Sequence, residues 1–252
     1  MNYFDLFLDS WKILKNKKTL ILIGVEFLFF ILLTIGALVS VTFITERAQN
    51  LQAFQQEFQV DENANPTYLY QNLLLLSQML DEIIKAAVYF FIFLFLVFGF
   101  FMGMQWNASR NLIEKKKLFH DYNLSYLLKF YLSSLIWFLI FAAGFYALYE
   151  IGFNYPLFFL LLILLFYFMW VNFSCFNNEK NIFRNFWNGI KISLVKFHVL
   201  ILAFLIFAAI LFAASYLLDF ANYGFFSIIL SILGVVFFVW FRIFLIEVIK
   251  EF

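Results

Sequence analysis

The stretch KILKNKKTLILIGVEFLFFILLTIGALVSVTFIT, residues 12–45, decides how the chain is read. Lys12, Lys15, Lys17 and Lys18 open it, and from Thr19 to Thr45 the single charged side chain is Glu26. A helix needs roughly 20 apolar residues to cross ~30 Å of hydrocarbon, so residues 19–45 are long enough to span. The basic start resembles that of a secretory leader, but the apolar run is too long and no small-residue cleavage site follows it. The sequence predicts a retained span.

Working outward, five further runs share this character: 83–106, 131–153, 157–176, 197–218 and 225–246. Hydrophobic residues make up 65% of the 252, charged residues 13%, and 41 are Phe. A soluble domain would have to cover such a core with polar surface, whereas acyl tails solvate apolar side chains directly. The predicted fold is all-α: a single polytopic domain, 1–252, built as an integral membrane bundle of six transmembrane helices.

Orientation follows from where the bases fall. Fifteen of the 17 Lys and Arg residues lie before the first span, in the gaps after the second and fourth, or at the C-terminal end with Arg242 and Lys250. Only Arg47 and Lys85 belong to the other side. By the positive-inside bias both termini are cytoplasmic, with a prokaryotic cytoplasmic membrane as the expected location. The net charge of +1 is uninformative as a sum and suggests no nucleic-acid partner.

Residues 46–82 differ from the rest. Glu46, Glu57, Asp61, Glu62, Asp81 and Glu82 face one Arg47. Leu51, Phe54 and Phe58 recur at helical spacing, and Asn65 before Pro66 reads as a cap and first helical position. An extracytoplasmic acidic helical hairpin is expected. Thr67 to Trp106 as one helix of about 40 residues would measure roughly 60 Å, twice the hydrocarbon thickness. The segment reads either as a docking site for a protein partner or as a solvated extension.

A threefold repeat organises the chain. Phe4, Phe7, Ser10, Trp11 and Ile13 match Phe183, Phe186, Gly189, Ile190 and Ile192 in spacing, and Phe119, Tyr122, Ser125, Tyr126 and Leu128 keep the same register. Trp106 with Asn107, Trp170 with Asn172 and Trp240 with Arg242 close the second, fourth and sixth runs. The plan is three hairpin units, each led by an amphipathic interfacial helix: 1–18, 111–130 and 177–196. Their Lys and Arg residues read either as topology determinants under the positive-inside bias or as contacts to anionic headgroups, with membrane lipids the expected partners.

FDLFLDSWKILKNKKTLILIG (4–24), its echo FRNFWNGIKISLVKFHVLILA (183–203) and the paired spans resemble a prokaryotic six-span family similar to the membrane domain of glycerophosphoryl diester phosphodiesterases. The resemblance implies a membrane-embedded, lipid-associated module without the soluble catalytic barrel, and carries over no catalytic residue.

Inspection of the residues likewise predicts no enzyme. Cys175 is alone and reads as a small buried hydrophobe, and His120 and His198 are the only histidines. Neither an HExxH motif nor a phosphate-binding glycine loop occurs, so no metal, cofactor or catalytic residue is assigned. The candidate site is an intramembrane polar cluster. Glu26, roughly 10 Å into the first span, needs a partner, and Arg242 lies at comparable depth on the sixth. The cluster reads either as an ion pair between Glu26 and Arg242 that Asn107, Asn172 and His198 could join from the same leaflet, or as a packing bridge or simple snorkelling that only holds helices together. Asp81 and Lys85 stand in the acid-then-base order that stabilises a helix. Gly99 and Gly103 offer a small face for close packing. The expected function is a noncatalytic scaffold or lipid-associated accessory module. The alternative is a transporter or permease component for a hydrophobic or lipid-like substrate.

Overall fold

A computed structural model describes residues 3–57, 66–152, 155–177, 180–220 and 225–251. These form α1 (Tyr3–Leu14), α2 (Lys17–Glu57), α3 (Pro66–Ile113), α4 (Leu124–Ile151), α5 (Tyr155–Ser174), α6 (Ile182–Val195), α7 (Phe197–Phe220) and α8 (Phe225–Glu251), with no strand among the described residues. Among the described residues five segments are long and apolar enough to cross a membrane: Lys17–Gln52, Leu73–Ile113, Leu124–Ile151, Tyr155–Ser174 and Leu230–Glu251. Ile182–Val195 with Phe197–Ile210, bent by 87°, makes a sixth if the pair is one span. The expected Asn65 cap, Phe58, Asp61 and Glu62 lie outside the described residues.

Local chemistry explains where the helices break. Pro66 opens α3, where its missing N–H costs nothing. That helix runs 48 residues, about 72 Å, and so continues past the expected end at Trp106. Between α1 and α2 the Asn16 side chain accepts from the Lys18 N–H at 3.0 Å, and the Thr19 hydroxyl donates to the Ile13 carbonyl at 3.0 Å. These bonds end one helix and begin the next. The region expected as a third interfacial helix, 111–130, is different. α3 persists to Ile113, turns occupy 114–123, and α4 starts at Leu124 and continues unbroken to Ile151. Asn123 caps it by accepting from the Tyr126 N–H at 2.9 Å, and no competing cap interrupts the helix afterwards.

The chain divides into two compact units, Met1–Phe27 with Gly99–Phe252, and Leu28–Phe98. In the first, α8 is the hub: Trp240, Phe241, Ile243, Phe244 and Leu245 are fully buried. Trp106 meets Trp170 edge-on at 5.7 Å, and Trp170 lies 5.4 Å from Phe241, so the C-terminal halves of α3, α5 and α8 converge. Around them the lead-in segments pack in order. α1 lies on α8, where the Trp240 indole donates to the Ser10 hydroxyl at 2.9 Å and Phe7 sits edge-on at 5.2 Å. α6 lies on α5, where a Cβ on Gly189 would come within 2.7 Å of the Asn172 Cα. The Tyr167 hydroxyl donates to the Ser193 carbonyl at 2.7 Å across the same contact. The turn before α4 and its first turns lie on α3. Tyr122 donates to the Phe100 carbonyl at 2.9 Å, and the Tyr131 and Phe130 rings cover the small face of Gly99 and Gly103.

The unit Leu28–Phe98 holds the C-terminal part of α2 and the N-terminal part of α3. Its apolar side chains face outward: Leu38 is 63% exposed, Val39 64% and Tyr89 69%. Arg47 pairs with Glu82 at 3.1 Å and Lys85 with Asp81 at 2.6 Å, the latter in the expected i, i+4 order. Apolar exposure on this scale calls for a non-aqueous solvent.

Candidate functional site

Glu26 on α2 and Arg242 on α8 meet in the first unit. Arg242 Nη2 lies 2.9 Å from Glu26 Oε2, and both side chains are buried, at 0% and 2% exposure. The Arg242 guanidinium also sits 5.4 Å from the Trp106 ring centre, a cation–π contact that helps a desolvated charge. A short distance without hydrogen-bond angles leaves this an ion pair held by charge: Nε, Nη1 and Nη2 of Arg242 donate to no protein acceptor among the described residues. One helical turn from Glu26, Leu22 packs with Ala108, Leu112, Leu118, Val239 and Ile243 in an apolar cluster. The site is therefore apolar on its N-terminal side along α2, and breaking the pair would strand a charge in it.

The other three predicted members go elsewhere. Asn107 is buried on α3, where its amide oxygen accepts from Asn111 Nδ2 at 3.0 Å. Asn172 donates to the Phe186 carbonyl at 3.0 Å and joins α5 to α6. His198 stands exposed in the first turn of α7. The structure thus brings together two of the five, because a shared depth along an axis says nothing about which face of a helix a side chain occupies.

A second polar site was not anticipated. A cavity of about 440 Å³ opens between the end of α3, the 114–123 turns and the start of α4. Asn107, Asn111, Arg110 and Tyr126 form its inner wall. Glu114, Lys116, His120, Asp121 and Asn177 form its rim. Arg110 is anchored by donating to the Ser174 carbonyl at 2.7 Å and to the Phe176 carbonyl, which satisfies the C-terminal end of α5. Asn111 also donates to the Leu118 carbonyl at 3.2 Å, pinning the turn that encloses the cavity. Glu114 receives Lys116 at 2.9 Å and Lys250 of α8 at 2.9 Å. Burial alone would raise the Glu114 carboxyl, but those two ammonium groups outweigh it and hold it below the usual carboxylate value. Hydrogen bonding to Glu114 holds Lys116 above its ordinary value. His120 Nδ1 sits 2.7 Å from Asp121 Oδ1. Burial pushes the nearby Cys175 thiol up to about 11, which makes it a poor nucleophile at neutral pH. The sequence signal was the run Asn107-Ala108-Ser109-Arg110-Asn111, too polar for the interior of a span and hidden at its end.

The unit Leu28–Phe98 has its own concavity, a groove of about 640 Å³ between α2 and α3. Leu32, Ile35, Val39, Phe43, Phe90 and Phe93 make it apolar along its length. Arg47, Glu82 and Lys85 stand at one end. Glu82 to Phe93 covers about 16 Å of helix, close to the thickness of one leaflet of a ~30 Å hydrocarbon layer. Comparison with known proteins finds no matching family, no similar curated protein and no similar solved structure.

Proposed function

We propose that the chain is a noncatalytic multi-pass membrane module that holds lipid, and the groove of the Leu28–Phe98 unit is the observation that carries this reading. A leaflet-long apolar wall with charges at one end only has the polarity of a phospholipid: acyl chain along Leu32, Val39 and Phe93, headgroup beside Arg47 and Lys85. The acids Glu82 and Asp81, each paired to one of those bases, leave the end neutral overall and suited to a zwitterionic headgroup.

In this reading the helices form six spans in three hairpin units, with both termini on the cytoplasmic side where the bases collect. The order of packing supports the threefold plan. α6 lies on α5, the segment leading into α4 lies on α3, and α1 lies on α8, so each lead-in meets the second span of the preceding pair and the first closes on the last. Trp106, Trp170 and Trp240 occupy corresponding places in the three pairs. α1 and α6 then act as amphipathic interfacial helices, and the proposed family resemblance is of the same lipid-associated kind.

The test is the phospholipid content of the full chain purified from native membrane, read by native mass spectrometry. Wild type is expected to retain one phospholipid that Ala86→Trp, which fills the groove, loses. Equal retention by both would overturn the reading. A lipid-transporting component is the second reading, favoured by the 87° break at Lys196, since broken helices recur in transporters. Exchange of labelled lipid between leaflets of reconstituted vesicles separates it from a static module.

A further inference from the structure

We infer that the cavity enclosed by the 114–123 turns is a binding site for a small phosphorylated amine, independent of any lipid in the α2–α3 groove. Its volume of about 440 Å³ lies within the range of built ligand sites and well beyond what one or two waters need. It is also constructed. Asn111 holds the enclosing turn through the Leu118 carbonyl, and Arg110 is fixed in place by two carbonyls at the end of α5. The inner wall is therefore set before a ligand arrives, which lowers the cost of binding.

The charges choose the ligand. Arg110, Lys116 and Lys250, which reaches Glu114, bring three positive charges against the two carboxylates Glu114 and Asp121. These five side chains carry a formal net charge of about one positive unit, and a phosphate monoester bearing an ammonium group carries about one negative unit near pH 7. A guanidinium fixed at the inner wall still has unused N–H donors for phosphate oxygens. The ammonium end finds Asp121 and Glu114 at the rim. A simple anion would leave those carboxylates facing like charge, and a simple amine would leave Arg110 without a counter-ion. The same phosphate and ammonium pair occurs in a free phosphoamine and in an aminophospholipid headgroup, so the source is decided by experiment.

The full chain in phosphatidylcholine nanodiscs is titrated calorimetrically with phosphoethanolamine, inorganic phosphate and ethanolamine. Phosphoethanolamine is expected to bind at least tenfold more tightly than either half. Lys116→Ala, at an exposed rim position that leaves the helices intact, is expected to weaken it about tenfold; His120→Ala weakens it less. Repeating the titration in nanodiscs containing phosphatidylethanolamine identifies the source. Unchanged affinity supports a free phosphoamine, and competition that Lys116→Ala relieves supports the headgroup. Absence of saturable heat, equal binding of inorganic phosphate, or an unaltered Lys116→Ala isotherm would each overturn the site. Loss of groove lipid in Ala86→Trp leaves this titration unaffected, so the two proposals fail separately.

Discussion

Both units expose large apolar side chains, but the buried tryptophans and the fully buried ion pair belong to the first. In Met1–Phe27 with Gly99–Phe252 a set of aromatic side chains, Trp106, Trp137 and Trp240 among them, is buried while others such as Phe183 and Trp187 stay outside; in Leu28–Phe98 Tyr89 and Val39 lie about two-thirds exposed. The contrast shows that hydropathy alone does not specify a core. With acyl chains as solvent, an outward Val gains little from being buried, and close packing arises where shape and polar groups demand it. The first unit has those demands: an ion pair, an indole on a serine hydroxyl, and a glycine under an asparagine. The second has two exposed ion pairs and a groove.

The largest expected effect comes from the buried pair. Arg242→Gln leaves Glu26 buried without its counter-charge and should destabilise the chain by about 3–5 kcal/mol, measured by thermal or denaturant unfolding in detergent. Adding Glu26→Gln to that variant removes the stranded carboxylate and should recover a large part of the loss. A double-mutant cycle with no coupling would mean that the two charges are solvated separately, and the distinction between a tight unit and a loose one would lose its strongest support. Arg47→Gln in the other unit provides the contrast. Its pair with Glu82 is exposed, and the expected loss is below about 1 kcal/mol.

One methyl group makes the same comparison on a smaller scale. A Cβ on Gly189 meets the Asn172 backbone, which cannot step aside without moving α5. Gly189→Ala should cost about 1–3 kcal/mol, in the range of overpacked cores. At Gly36 the added methyl meets only the outer edge of the Phe93 ring, which lines an open groove and can turn. Gly36→Ala should therefore be nearly neutral, the gain in helix propensity of about 1 kcal/mol offsetting the adjustment. Equal destabilisation by both substitutions would show that the α2–α3 contact is as rigid as that between α5 and α6.

Much of this was legible in the residues for reasons that can be named. The long apolar runs are visible because spanning demands length, and Glu26 and Arg242 are visible because charge inside such a run is costly enough to imply a partner. The fate of Asn107 was not visible. Its partner Asn111 is a local neighbour, and both belong to a cavity closed by turns 114–123, whose position no periodicity records. The register of Phe119 to Leu128 with the other lead-ins favoured a separate helix there. Asn123 sets the start of α4 instead, a single side-chain bond deciding against a repeat spread over ten residues. Arg110 and Lys196 read as topology signals, yet each also donates to carbonyls, of Ser174 at 2.7 Å and of Ile249 at 2.8 Å. Charge bias and helix-end satisfaction use the same side chains, and the sequence displays only the first.

The smallest effect probes the rim of the cavity and acts through pH. Glu114 is held below its ordinary value in the fold because its two ammonium partners outweigh the burial that would raise it. A carboxyl with a lowered folded pKa binds its proton more readily in the unfolded chain, so its contribution is fully present above the unfolded value of about 4.3. That contribution fades as pH falls through the lower folded value. Glu114 lies in a solvent-facing turn with its side chain 28% exposed, and solvent screens it, so the loss should stay below about 1 kcal/mol. Unfolding measured between pH 7 and pH 3 should show a shallow decline that Glu114→Gln flattens, after subtraction of the slope common to both proteins. Because Lys250 brings α8 to this carboxylate, the same variant should loosen the C-terminal turn of α8, seen as faster amide exchange near Ile249. An acid limb of equal slope in both proteins would place the Lys116 and Lys250 contacts among the surface ion pairs that contribute nothing measurable. The packed unit would then owe its cohesion to its interior alone.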